Sequence, residues 1–391
     1  MGYLLMLLIF LNLSFAIDLR TAIEKAINYS PYLASLEEEA KGVKARELAY
    51  KSLLNPSVSV ELGNFGTSTL SASKSPIYRL SYSQPILLYS IGELNRAKSQ
   101  HELMAFGERI KQEKNRLIGE VYASFYNAVY KKELLNIARQ DYEISKDLHT
   151  FIKKLYDLGE ITKLELLRAE RDLEMARREL ELAKNEYERA LKELSFYLGE
   201  EVKDVEGSLK DLRDIKDLDF DSLPQVRFYD LSVKALQEGI RLEKAFAKPQ
   251  PSVEVLGEKV GDHTYGFRLS ISSSLPLFYR RETEILQLAS QINSYGKLKE
   301  LELARTRTEY EGIRRTYQTL LEEIKRIEEE DVPKAKQELE LALKSYKLRT
   351  ITQLELSDSK RRYLQLLRYR ADLLMRTHQE FARYLAIGGK L

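Results

Sequence analysis

The chain has 391 residues, with 62 Lys+Arg against 60 Asp+Glu, a net charge of +2, and no Cys. So even a balance gives no reason to expect a nucleic acid or another polyanion as partner. The lack of Cys excludes a disulfide framework, thiolate metal sites and acylation of a Cys at a mature N-terminus.

Residues 1–16 form a short apolar core ending in Ser14-Phe15-Ala16, which predicts a signal peptide cleaved before Ile17. No Lys or Arg precedes that core, unlike the usual pattern, and an apolar core helix is the other reading. The stretch is too short for a membrane-spanning helix, which needs ~20 apolar residues, and no later stretch reaches that length. Asp18 opens a short amphipathic helix through Leu19, Ala22, Ile23, Ala26 and Ile27. Ser30-Pro31 reads as an N-cap followed by Pro at the first helical position. The helix it starts is predicted to end near Leu54, before Asn55-Pro56. The period then changes to two. Val58, Val60 and Leu62 alternate with Ser57, Ser59 and Glu61, a Gly/Ser/Thr-rich loop follows over 63–76, and alternation resumes with Tyr78, Leu80 and Tyr82.

From Gly92 to about Tyr156 the sequence is helical, with Gly107 and Gly119 as candidate bends. A turn at Gly159 leads into a heptad seam: Leu166, Ala169, Leu173, Ala176, Leu180, Ala183, Tyr187, Ala190, Leu194 and Tyr197. Leu198-Gly199 stops that helix. Residues 200–222 are acidic and irregular, a linker. The second half then replays the first. Leu223-Pro224 opens a helix and Lys248-Pro249-Gln250-Pro251 closes it. Val253 and Val255 alternate with Ser252 and Glu254; after a short loop at 261–263, so do Tyr265, Phe267, Leu269 and Ile271 with Gly266, Arg268, Ser270 and Ser272. A helix of about 65 residues is predicted from Arg281 to Tyr346, roughly 100 Å long, with Pro333 as its bend. A second turn precedes a final helix to Ile387, whose seam is Leu364, Leu367, Ala371, Leu374, His378, Phe381 and Leu385. The predicted organisation is therefore a first repeat over 17–199, the linker, and a second repeat over 223–391. The turns themselves, Gly159 to Ala169 and Arg349 to Ser359, are copies offset by 190 residues.

Each half thus offers two strands flanked by long helices. The apolar strand faces would pack on one another in a soluble sandwich, or face outward in a lipid-embedded barrel with the polar faces lining a lumen. Open sheet edges are not tolerated in lipid, so four spanning strands require several copies to share one barrel; three copies give about twelve strands.

With these parts in place the chain resembles the TolC-type outer-membrane efflux proteins from Ile17 to Leu391. The resemblance rests on Gly159-Glu160-Ile161-Thr162-Lys163-Leu164-Glu165-Leu166 and Thr350-Ile351-Thr352-Gln353-Leu354-Glu355-Leu356, on Asn55-Pro56-Ser57-Val58 and Gln250-Pro251-Ser252-Val253, on Gln84-Pro85, and on Leu198-Gly199. It implies a mainly α fold of antiparallel coiled-coil hairpins with a small β part: a homotrimer sharing a twelve-stranded barrel in the outer membrane, with a helical tunnel in the periplasm. Its implied partners are a periplasmic adaptor and an inner-membrane pump of RND or ABC type. It implies a conduit, with no catalysis and no cofactor. Residue by residue, Glu355 and Asp358 match carboxylates that ring the narrow end of the tunnel, and Tyr346 matches a Tyr of the closing contacts. Arg349 and Ile351 replace the family's Gly and Arg in the second turn.

Each candidate has an ordinary reading beside it. Glu355 and Asp358 are either a charged constriction or solvated helix residues. Gly159, Thr162, Leu164, Thr352 and Leu354 are either adaptor contacts or turn and helix-start residues. Val58, Val60, Leu62, Tyr78, Leu80, Tyr82, Val253, Val255, Tyr265, Phe267, Leu269 and Ile271 are either lipid-facing or a core face. His101, His149, His263 and His378 are scattered without metal-ligand spacing, and no catalytic motif is visible. The competing function is a soluble periplasmic coiled-coil scaffold or adaptor.

Overall fold

A computed structural model describes residues 16–51, 53–63, 77–261 and 264–391. The expected signal peptide falls outside these residues except for Ala16, as do most of the first strand loop and His263. Helices α1 (Leu19–Tyr29) and α2 (Pro31–Ala45) lead to strands β1 (Ser57–Gly63) and β2 (Ile77–Pro85). Helices α3 (Ile91–Asp157) and α4 (Lys163–Leu198) follow, then α5 (Pro224–Phe246), β3 (Pro251–Val260) and β4 (Thr264–Ser273). The chain closes with α6 (Glu282–Arg326), α7 (Val332–Lys347) and α8 (Gln353–Ala386).

Local signals account for most boundaries. Asp18 accepts from Thr21 N at 2.8 Å to cap α1, and Ser30 Oγ accepts from Leu33 N at 3.3 Å at the start of α2. Gly199, at φ 70, ends α4 in the left-handed region, with the Tyr29 ring packed on its bare Cα. All ten positions of the α4 seam are buried or half-buried, and all seven of the α8 seam are buried.

The fold divides into two compact units. One holds the described residues up to Leu33, Gln112–Leu218 and Thr306–Leu391; the other holds Ala34–Lys111 and Asp219–Arg305. Each unit therefore takes elements from both sequence repeats. The second contains the sheet, antiparallel throughout in the order β1-β2-β3-β4.

Three expectations are corrected. The helix expected to reach Leu54 ends at Ala45 with a single 3-10 turn over Arg46–Leu48. The Asn95 side-chain amide donates to Arg46 O and Ala49 O, both at 3.0 Å, and Tyr50 then turns into the left-handed region at φ 60. Gly107 and Gly119 break nothing, since α3 runs unbroken through both. Gly119 instead admits another helix: a Cβ there would lie 2.6 Å from Ala382 O. The long helix ending at Lys347 is interrupted by a π-helical turn, Ile327–Asp331, where Val332 N–H donates to Ile327 O. Pro333 has no N–H to offer, and the widened turn absorbs the missing bond.

Residues 200–222 are irregular over most of their length and held down along the helices. Ile17 and Val205 form a parallel bridge, and Val202, Val205 and Leu209 are buried. Lys132 Nζ donates to Asp204 Oδ1 at 2.6 Å and to Val205 O at 2.8 Å. The Tyr317 hydroxyl donates to Arg213 O, and Tyr310 donates to Asp217 at 3.1 Å. The segment is a strap whose backbone acceptors are satisfied by side chains of the helices it crosses.

Candidate functional site

The two turns close in the same way. At the end of α3, Gly159 N donates to Tyr156 O (2.8 Å) and Glu160 N to Leu155 O (2.9 Å). At the end of α7, Arg349 N donates to Tyr346 O and Thr350 N to Ser345 O, both at 3.0 Å. Both are Schellman motifs, with Gly159 and Arg349 in the left-handed position at φ 75 and 61. The next helices start alike. Thr162 Oγ1 accepts from Glu165 N while Glu165 accepts from Thr162 N; Thr352 and Glu355 repeat the exchange, with Thr352 N to Glu355 Oε2 at 2.7 Å. These are reciprocal capping boxes. The Thr-x-x-Glu spacing that announces them stands in the sequence twice, and it gives Glu355 a structural duty beyond the role implied by the resemblance.

The bonds from Thr352 N and the Thr352 hydroxyl hold the Glu355 carboxyl below its ordinary 4.5. Asp358 lies one turn further along α8. Its two oxygens accept from Arg361 Nη2 at 2.5 Å and Arg362 Nη2 at 2.7 Å. It lines a groove of about 850 Å³ with Arg168, Arg171, Asp172, Arg361 and Arg368. Tyr346 is buried in the core of the turn region, its ring 6.2 Å from that of Phe151. Burial raises its hydroxyl pKa, Glu165 adds to the rise and Arg349 opposes it.

Leu164 and Leu354 stand exposed at equivalent positions after the two turns, and Thr162 and Thr352 are exposed beside them. Leu158 and Leu348, also offset by 190, are exposed just before the turns. The repeat offset alone was enough to find this second pair. Behind the tips, Lys360 Nζ reaches Asp141 Oδ1 and Ser145 Oγ, both at 2.8 Å, in a nearly buried polar link between α8 and α3. No sequence signal marks that link, because Asp141 and Lys360 are 219 residues apart.

The sheet brings the twelve strand positions together on one face. Directly opposed residues form rows: Val58, Tyr82, Val255 and Leu269; Val60, Leu80, Gly257 and Phe267; Leu62, Tyr78, Lys259 and Tyr265; and Gln84, Val253 and Ile271. Eleven of the twelve are exposed, Phe267 at 90 %, and Val253 is half-buried. Polar pairs occupy the opposite face. Ser59 and Ser81 hydroxyls are 2.7 Å apart, and Ser252 and Ser272 hydroxyls 2.8 Å. Arg79 donates to Glu61 at 3.1 Å and to Glu258 at 3.2 Å. Each row is one unit of sheet pairing, so the register fixes both faces at once. β1 and β4 each have one neighbour in this sheet, leaving two unpaired edges. No helix among the described residues is long and apolar enough to cross a membrane. Nor do the described residues hold a cluster of three or more His, Asp or Glu placed to bind a metal.

No individually curated protein matches the sequence. Among solved structures, the chain is similar to a membrane protein of Pseudomonas aeruginosa, at 16 % identity and a TM-score of 0.79, covering 96 % of this chain and 94 % of that one. It is also similar to the outer membrane protein VceC of Vibrio cholerae (14 %, TM-score 0.75, 95 % and 96 % covered). A third is the open state of the MtrE outer membrane channel of Neisseria gonorrhoeae (15 %, TM-score 0.75, 95 % and 89 %). These likenesses establish the fold over nearly the whole chain. Residues 22–200 match the family profile described as outer membrane efflux protein. The profile match thus covers the first repeat, while the shared fold extends over both.

Proposed function

We propose that the chain is the outer-membrane exit duct of a tripartite efflux or type I secretion system, assembled as a homotrimer. The observation that carries the reading is the sheet. One face is exposed and mainly apolar, with Lys259 and Gln84 in its end rows, the other carries the polar pairs, and both edges lack partners. A soluble scaffold has no use for that face, which would drive aggregation. In lipid it is the outer wall, provided the edges close on further copies. Three copies around a three-fold axis supply about twelve strands, enough to leave a passage; two supply about eight, whose interior side chains would fill it. The long helices are the periplasmic part in this reading.

The turns are the periplasmic end in this reading. Leu164 and Leu354, with Gly159, Thr162 and Thr352, form the contact surface for a periplasmic adaptor, and Leu158 and Leu348 extend it. The adaptor links the duct to an inner-membrane pump of the RND or ABC type. Glu355 and Asp358 supply negative charge at the narrow end, and Tyr346 packs the closed state. Support comes from the paired apolar exposure of the four leucines and from the ion pair between Arg349 and Glu160, which ties one turn to the other. The test is the mass of the mature protein extracted from membranes, corrected for bound detergent. A trimer is expected; a monomer soluble without detergent removes the duct.

A further inference from the structure

All four connections between sheet and helices lie at one end of the strands, and they form a collar of unusual composition. Leu48, Leu53, Leu275, Leu277 and Phe278 are strongly exposed there, Phe278 at 99 %, with Tyr50, Leu88, Tyr89 and Tyr279 partly so. The segments are joined to one another. Gln84 Nε2 donates to Leu54 O at 2.7 Å, Ile86 N to Pro251 O at 2.9 Å, and the rings of Tyr50 and Phe246 lie 5.5 Å apart. Tyr50, Tyr89, Ser90 and Arg281 all take up positive φ in this collar. Strain of that kind persists only where surrounding structure holds it, and it gathers at sites of function.

Charge in the collar is sorted. Four carboxylates have a partner within the chain: Glu47 takes Arg96, Glu243 takes Arg281, Glu284 takes the Tyr279 hydroxyl, and Glu282 accepts from Arg280 N; Glu93, at the start of α3, is exposed. Among the described residues, the cationic groups of Lys51, Lys248 and Arg280 make no ion pair. Lys248 lies over the Tyr89 ring at 4.7 Å, and Arg280 Nε donates only to Pro276 O. The collar therefore pairs protruding apolar and aromatic side chains with three unmatched positive charges. It also adjoins the lipid-facing surface. The apolar series Tyr265, Phe267, Leu269 and Ile271 is interrupted by Ser273 at the end of β4, and apolar residues resume just beyond it at Leu275 and Leu277.

We infer that the collar is a membrane-interface anchor that takes up anionic phospholipid headgroups at the periplasmic leaflet. Phe278 and the leucines enter the acyl boundary, the tyrosines sit at headgroup level, and Lys51, Lys248 and Arg280 face lipid phosphate. Lipid covers the apolar groups and its phosphates supply the counter-charge for all three cations at once. The anchor does for a chain without Cys what a covalent lipid does elsewhere: it fixes the depth of the barrel. This inference rests on the outer-membrane reading.

The chain has no Trp, so a single substitution makes a clean reporter. Phe278→Trp and, separately, Phe267→Trp are reconstituted as full chains in vesicles containing brominated phosphatidylglycerol or brominated phosphatidylcholine. Both reporters are expected to be quenched by lipid. For Phe278→Trp the anionic lipid should be about fivefold more effective, roughly the preference one surface cation confers. Adding Lys51→Gln, Lys248→Gln and Arg280→Gln should bring that ratio to about one while Phe267→Trp in the same background stays quenched, which shows the sheet still inserted. Quenching of Phe267→Trp alone, with Phe278→Trp open to aqueous iodide, overturns the anchor and leaves the duct standing. Equal quenching of Phe278→Trp by both lipids overturns the anionic preference. No quenching of either reporter overturns the duct itself, and the anchor with it.

Discussion

The guanidinium of Arg349 donates to the carboxylate of Glu160, so the turn after α7 is tied to the turn after α3 within one chain. Arg349 makes this bond from the left-handed region, at φ 61, where its counterpart 190 residues earlier is Gly159. The position normally taken by Gly is here given to a side chain that crosses to the other hairpin.

Arg349→Gly should therefore act in two opposed ways. It relieves about 1 kcal/mol of left-handed strain and removes an exposed ion pair worth about 0–1 kcal/mol. Thermal stability should barely move, while amide hydrogen exchange at 155–165 and 345–355 becomes faster. Glu160→Gln, which breaks the pair without relieving strain, should give the faster exchange together with a small loss of stability.

Glu355 carries two duties that substitution can separate. Gln can fill the third position of a capping box, so Glu355→Gln should keep the start of α8 while removing the charge. Thr352→Ala should cost about 1 kcal/mol of helix stability. In planar bilayers, Glu355→Gln combined with Asp358→Asn should lower cation preference with the fold intact by circular dichroism. The Glu355 carboxyl is held below 4.5, so it is ionised throughout the neutral range. Its capping contribution is complete above the unfolded value and fades only as pH falls through the lower native one. Cation preference that titrates near neutrality would exclude Glu355 as its source.

His378 predicts an acid-sensitive strap. Its Nδ1 is 2.9 Å from the Tyr122 hydroxyl, its Nε2 is 3.0 Å from Leu209 O, and its ring is stacked on Tyr126 with centroids 3.5 Å apart. Burial lowers its pKa from 6.5 to about 4, and Arg213 adds to the fall; the bond to Leu209 O and the charge of Asp211 oppose it. The unfolded chain binds this proton first, so folding stability falls as pH drops from 6.5 toward 4, by about 3 kcal/mol in all. Denaturation midpoints at pH 7.5, 6 and 5 should show that decline. His378→Gln should be less stable at pH 7.5 and flatter with pH.

Gly119→Ala should destabilise the α3–α8 crossing by about 1–3 kcal/mol, because the new methyl would meet Ala382 O at 2.6 Å. Gly107→Ala, with nothing within 4 Å of its Cβ position, should be neutral or slightly stabilising. Thermal melts of the two variants in detergent separate a packing glycine from a tolerated one.

What the sequence disclosed was local or periodic. Alternation at Val58 to Leu62 and Tyr265 to Ile271 placed the strands and their faces, and heptad spacing placed both seams. The Thr-x-x-Glu capping boxes are local too, and they explain Glu355 without reference to any relative. The rest depends on partners distant in the chain. The early end of α2 is set by Asn95, the fit at Gly119 by Ala382, and the strap over 200–222 by Lys132, Tyr317 and His378. Acidic composition marks that strap as irregular, but it cannot reveal which side chains hold it down. The ion pair of Arg349 with Glu160 is hidden for the same reason.

The shared barrel is tested most directly at its seams. Since the chain has no Cys, Ser59→Cys on β1 and Ser270→Cys on β4 introduce its only thiols, both on the polar face and on opposite edges of the sheet. Neighbouring pairs, such as Ser57→Cys with Ser272→Cys, cover a shift in register between copies. Oxidation of membranes carrying each variant, followed by denaturing electrophoresis, should trap covalent dimers and trimers, and no larger species, for at least one pair. Chains that remain monomeric for every pair while still extracting from the outer membrane would contradict a barrel closed between β4 of one copy and β1 of the next.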